Sequence, residues 1–213
     1  MKPPQRIDHW GRPARWFMDY SDAHLDTLAR HMKEVETIFR VEFDLQLYLV
    51  WGSLLGAVRE QDFIGHDIDI DMAYVSKARS ALGVLRERDR ITDLFERFGM
   101  IAEAPNHGRF LLYGTPDPES GDIPHGIEIY TSFVTQGAYY CYPCIPGWFS
   151  GRSVKPFGKA MLRGFEFAAP RKTDSWLTAH YGPNWRTPVP PSEYREDPTR
   201  YECFEFLRTE VKD

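Results

Sequence analysis

The chain has 213 residues, 42 % hydrophobic and 27 % charged, which excludes a chain whose main state is disorder. That length suits one generous domain with small appendages. Acidic residues outnumber basic ones by 31 to 26, leaving a net charge of −5 and no broad cationic surface for duplex nucleic acid.

Residues 1–20, with Pro3, Pro4 and Pro13, read as an irregular lead-in that packs through Trp10, Trp16 and Phe17. Met1-Lys2-Pro3-Pro4-Gln5-Arg6 lacks the apolar stretch of a secretory signal, and no apolar run is long enough to span a bilayer. A cytoplasmic protein without a transmembrane segment is expected. Ser21 or Asp22 is a candidate helix cap. Leu25, Leu28, Met32, Val35 and Phe39 follow at spacings of three and four, so residues 22–43 form an amphipathic helix.

Leu45 to Trp51 reads as a buried strand, broken by Gly52-Ser53. Leu54, Leu55, Ala57 and Val58 predict a short helix ending near Arg59. Asp67 to Tyr74 reads as a second strand. Residues 77–98 predict a helix stopped by Gly99. Phe110 to Tyr113 is a strand candidate, 115–124 a hairpin loop, Gly126 to Val134 a strand, and Ala138 to Tyr142 its partner. Residues 143–165 are rich in Gly and Pro. A late helix starts near Thr173-Asp174 and stops at Gly182-Pro183. The mixture, without regular βαβ alternation, predicts an α+β fold with a mixed sheet. The expected organisation is a lead-in over 1–20, one domain over 21–190 and an irregular tail over 191–213.

Three cysteines are too few and too odd a number for a disulfide framework. Cys141 and Cys144 have C-x-x-C spacing without a second pair, so reduced thiols are expected rather than zinc.

His66-Asp67-Ile68-Asp69-Ile70-Asp71-Met72 is the most informative segment. In a strand, Asp67, Asp69 and Asp71 share one face and Ile68, Ile70 and Met72 the other. Three carboxylates on one packed face repel one another, and a divalent cation reverses that penalty. The plain alternative is a solvated strand face. Upstream, Trp51-Gly52-Ser53 ends a strand and opens a helix, whose first N–H groups favour anions. A phosphate cradle thus precedes an acidic strand.

The string from Trp51 through Gly52-Ser53 and Gly56 to Arg59, followed by Asp62-Phe63-Ile64-Gly65-His66 and the three aspartates, resembles the LicD/fukutin family. That family belongs to the nucleotidyltransferase superfamily of the polymerase-β type. Its pattern is G-[ST]-L-L-G-x-x-R, then F-I-P-[WH]-D-x-D-x-D, and this sequence departs from it at Gly65. Pro156-Phe157-Gly158-Lys159, the Gly164 to Phe167 strand, Trp176-Leu177 and Tyr181-Gly182 resemble the family's closing segment. The likeness spans roughly 45–188.

The resemblance implies metal-dependent transfer of a phosphorylated alcohol from a CDP-activated donor to a glycan or glycolipid hydroxyl. CDP-choline, CDP-ribitol and CDP-glycerol are the donors it suggests. Asp67, Asp69 and Asp71 are the implied ligands of Mg²⁺, one ion or two, with Mn²⁺ as an alternative. Asp67 and Asp69 match the family's metal carboxylates; Asp71 is either a third ligand or a group behind them. Glu128, in Gly126-Ile127-Glu128-Ile129-Tyr130, is the candidate third carboxylate and base, against a solvent-facing Glu. Gly52, Ser53, Arg59 and Lys159 are candidates for the donor phosphates, with Arg163 and Lys155 as alternatives to Lys159. His66 reads as a loop residue, His107 and Arg109 as a surface pair, and Trp51, Tyr139 and Tyr140 as core. Two other functions stay open: nucleotidyl transfer from an NTP to a small molecule or protein, and a non-catalytic binding module.

Overall fold

The structure is a computed structural model describing residues 6–7, 13–114, 125–145, 147–190, 193, 197–202 and 204–211. Trp10, the expected hairpin loop over 115–124 and Cys203 lie outside them.

Two short strands, β1 (Arg6–Ile7) and β2 (Pro13–Ala14), pair antiparallel in the lead-in. Phe17 is buried, its N–H donates to the Asp67 carbonyl at 3.0 Å, and the Met18 N–H donates to the Gly65 carbonyl at 2.8 Å. The lead-in is therefore fastened across the acidic segment. Helix α1 (Asp22–Phe43) begins at Ser21, whose hydroxyl accepts from the His24 N–H, and buries Leu25, Leu28, Met32, Val35 and Phe39, the residues whose spacing predicted it.

Next come β3 (Leu47–Leu49), α2 (Trp51–Arg59), β4 (Ile70–Val75) and α3 (Ala81–Arg97). Then follow β5 (Ile101–Asn106), β6 (Arg109–Tyr113), β7 (Ile127–Thr135) and β8 (Ala138–Cys141). The chain closes with β9 (Gly158–Leu162), β10 (Phe165–Ala169), α4 (Thr173–Tyr181) and α5 (Glu205–Arg208). Among the described residues the main sheet has eight strands in the order β5-β6-β7-β4-β3-β10-β9, with β8 also on β7. Strand β4 runs parallel to β7 and antiparallel to β3, so the sheet is mixed and the fold is α+β.

Along β4 successive side chains alternate faces. Tyr74 meets Phe39 of α1 at 5.7 Å between ring centroids, and Phe39 meets Phe95 of α3 at 5.5 Å. Helices α1 and α3 thus cover the face of Ile70, Met72 and Tyr74. The first turn of α2 meets the other face, where Asp71 lies. No described helix is long and apolar enough to cross a membrane.

Four expectations change. The strand expected from Asp67 begins only at Ile70, because a turn closed by the Asp67 N–H on the Ile64 carbonyl precedes it. Strands β5 and β9 were not anticipated; β5 carries a proline and a register shift, and β9 sits in the Gly- and Pro-rich region. The tail is not wholly irregular: α5 buries Leu207. The cysteine pair is not two reduced thiols: Cys141 is free and buried, whereas Cys144 is disulfide-bonded.

Candidate active site

The site forms where α2 starts against β4 and β7. Asp71 is buried on β4, and the β4–β7 register puts it directly beside Glu128. Asp67 and Asp69 approach from the turn before β4. Oxygens of Asp67, Asp69 and Asp71 lie within 4.8 Å of one another, a convergence that one flat strand face does not allow at its two-residue repeat. The turn thus groups the acids more tightly than the expected strand.

The start of α2 binds this cluster through its backbone. The Gly52 N–H donates to Asp71 Oδ2 at 2.9 Å, and Ser53 Oγ accepts from the Asp71 N–H at 2.9 Å. A Cβ at position 52 would stand 2.1 Å from Asp67 Oδ2 and 3.2 Å from Asp71 Oδ2, so only glycine leaves the acids in place. At position 56 a Cβ would lie 2.4 Å from the Asp62 carbonyl, and glycine there lets α2 pack on the loop leading to the acids.

Burial raises all three aspartates above the usual carboxylate range, Asp69 and Asp71 strongly. Asp71 and Asp67 add repulsion at Asp69, and Asp67 and Glu128 add it at Asp71. A hydrogen bond joins the Asp67 and Asp69 carboxyls, favouring charge on Asp67 and the proton on Asp69. Clustered acids like these, Asp71 buried and Asp67 and Asp69 partly so, suit a cation better than solvent.

Glu128 is buried too. Arg109 Nη1 donates to Glu128 Oε2 at 2.7 Å, and the Tyr130 hydroxyl donates to the same oxygen. Burial works against the Arg109 charge, but Glu128 and Tyr130 outweigh it and hold the guanidinium firmly protonated. Arg109 is therefore committed to Glu128, with 32 % of its side chain still exposed. Strand alternation placed Glu128 and Tyr130 on one face; the partner strand β6, with Arg109 opposite Tyr130, supplied the cation. The charge type at position 109 was visible, but its register was not.

The other cations lie elsewhere. Arg59 ends α2, about 12 Å along the helix axis from Trp51, and pairs with Glu60 at 3.5 Å. Lys159 is exposed and pairs with Glu166 at 2.8 Å. Arg163 is committed to Asp22, Asp26 and Asp62, tying the β9–β10 turn to α1. Lys155 lies over the Phe157 ring. His66 meets the Trp16 ring edge-on at 6.2 Å, and the His107 N–H donates to the Thr209 carbonyl. Tyr139 is core, its hydroxyl bonded to that of Tyr48, while Tyr140 stacks on Phe133. Trp51 is half-buried among Trp176, His180 and Tyr130.

Gly52→Ala is expected to weaken Mn²⁺ binding about tenfold or more, because the new methyl displaces Asp67. The fold should survive, since the obstructing atom ends a side chain and alanine favours helix. Titration calorimetry and a thermal melt read the two effects; unchanged affinity would mean the cluster does not bind metal in this form.

Among solved structures, the chain is similar to the lincosamide antibiotic adenylyltransferase LnuA in its lincomycin-bound form. The identity is 12 % and the TM-score 0.42, with 78 % of this chain and 96 % of that one covered. No curated protein matches it. Residues 44–172, which hold the Gly52-Ser53 turn, the three aspartates and Glu128, match the family described as LicD/FKTN/FKRP, nucleotidyltransferase domain, and the chain belongs to that family, a membership that supports a transferase of phosphorylated groups.

Proposed function

We propose that the protein moves a phosphorylated alcohol, phosphocholine or an alditol phosphate, from a CDP-activated donor to a hydroxyl of a glycan or glycolipid. The observation that carries this reading is the convergence of Asp67, Asp69 and Asp71 within 4.8 Å beside Glu128, at the start of α2. The donor set fits a hard divalent cation, since three partly or fully buried carboxylates repel one another without one. Asp67, Asp69 and Asp71 would hold Mg²⁺ or Mn²⁺, as one ion or two. Such an ion, when bound, offsets the charge of the donor diphosphate.

The remaining chemistry belongs to the chain. Gly52 and Ser53 hold the acids against the start of α2, so donor phosphates carried by an ion on those acids would lie next to that helix end. Glu128, oriented by Arg109 and Tyr130, accepts the proton of the acceptor hydroxyl. The acceptor oxygen bonds to the donor's β-phosphorus as the bond from that phosphorus to the CMP oxygen breaks. Arg109, through its pair with Glu128, sets a positive charge beside that base; Arg59 and Lys159 receive no role in donor binding. The proposal places the reaction in the cytoplasm.

The nucleotidyltransferase description of the matched domain favours one second reading, transfer of NMP from an NTP with release of pyrophosphate. Incubation with CDP-choline, CDP-ribitol or CDP-glycerol, Mg²⁺ and a panel of glycan acceptors separates the two. The expected result is CMP release with one donor. Pyrophosphate release from an NTP supports the second reading. Neither product, with no thermal stabilisation by any donor, defeats both.

A further inference from the structure

Beyond the matched segment, a short helical turn at Pro198–Tyr201 carries Arg200 back to the start of α2. The Arg200 guanidinium carbon lies 4.7 Å from the centre of the Trp51 ring. Its Nε donates to the Cys144 carbonyl at 2.9 Å and its Nη1 to the His180 carbonyl at 3.1 Å, while Nη2 donates to His180 Nδ1. The Cys144 N–H donates to the Arg200 carbonyl at 2.8 Å, fixing the backbone as well. This guanidinium is anchored at both ends of its fork, so its place over the indole is well determined.

Trp51 is an unusual residue to find there. Its φ is +43°, in the left-handed region that aromatic side chains rarely occupy, although it opens a right-handed helix. The ring is held by Arg200, by His180 at 4.1 Å and by Trp176 at 5.4 Å. His180 is buried and its Nε2 has no hydrogen-bond partner among the described residues, so packing and Arg200 hold that ring in place. The peptide that follows Trp51 presents the Gly52 N–H to Asp71 Oδ2. A change in the Trp51 backbone would swing that N–H away from the acids.

We propose that Arg200 is a positioning residue of the acidic site, which holds Trp51 in its left-handed state and thereby aims the Gly52 N–H at Asp71. The effect on metal rests on the proposed reading of the acids; the effect on Gly52 does not. Among the described residues Arg200 makes no hydrogen bond or ion pair with the site's carboxylates, and it acts through one side chain and one peptide plane.

The test uses the full chain, Mn²⁺ as the probe and hydrogen exchange of the Gly52 amide. Arg200→Ala should raise the Mn²⁺ dissociation constant about tenfold and speed Gly52 exchange by a similar factor. Arg200→Lys keeps a cation over the ring but loses the fork, and should recover part of both losses. Trp51→Gly removes the ring and relieves the backbone constraint. In that background Arg200→Ala should add nothing further, because its target is gone. Full additivity of the two changes overturns the proposal, as does a folded Arg200→Ala protein with parental Mn²⁺ affinity and parental Gly52 exchange. Should Arg200→Ala fail to fold, Arg200→Lys decides: Gly52 exchange faster than in the parent supports the proposal, and parental exchange overturns it. If the parent itself binds no Mn²⁺, the metal reading fails and Gly52 exchange alone decides the role of Arg200.

Discussion

Asp69→Asn is expected to lower turnover by more than about 100-fold while leaving the metal-free protein at least as stable as its parent. The substitution keeps size and shape and removes one anionic ligand from three whose oxygens lie within 4.8 Å. Burial, then Asp71 and Asp67, raise Asp69 well above the usual carboxylate range. A carboxyl with a raised value in the fold contributes stability at low pH and loses it as pH rises through that value. Asp69→Asn should therefore gain stability relative to the metal-free parent as pH rises from about 5 to about 8. Mg²⁺ should stabilise the parent and leave the variant almost unmoved. Melting curves at both pH values, with and without Mg²⁺, read this directly. Near-normal turnover together with a normal Mg²⁺ response in the variant would remove the metal site from the mechanism.

Glu128→Gln should reduce turnover by about 10²- to 10⁴-fold, the range for losing a general base. It should also destabilise the fold by about 1–3 kcal/mol, since Arg109 loses a charged acceptor at 2.7 Å. Glutamine still accepts from Tyr130, so the local shape is kept. Arg109→Ala separates the two effects, because it leaves the carboxylate and removes its cation. The expected pattern is a large loss of kcat in Glu128→Gln and a smaller one in Arg109→Ala, with both losing stability in urea. If Glu128→Gln keeps its kcat and loses only stability, Glu128 is a buried structural ion and another group takes the proton.

The elements with a strong local signal were legible in the sequence. Leu25, Leu28, Met32, Val35 and Phe39 repeat at the helical period and Ser21 caps them, and these residues build α1. Gly52-Ser53 and the alternating aspartates marked the site because each residue has a local consequence, an uncrowded backbone or a charge that must be balanced. Alternation along β7 set Glu128 and Tyr130 on one face, and they do share a hydrogen bond. What local pattern could not reach was pairing at a distance. The β4–β7 register sets Asp71 beside Glu128, and the β6–β7 register brings Arg109 to that carboxylate. Both depend on strand order, which no single segment encodes. The same holds for the cations that stand away from the acids: Lys159 found Glu166, and Arg163 found Asp22, Asp26 and Asp62. A charge in the sequence declares its sign, but its partner is chosen by whichever buried or neighbouring group the fold brings within reach. The turn that draws Asp67 and Asp69 out of β4 is also a tertiary outcome, shaped by the lead-in's hydrogen bonds to Asp67 and Gly65 and by the close approach at Gly52. Local sequence thus determined the four longer helices and the residue types of the candidate site, while long-range packing decided which charges meet there.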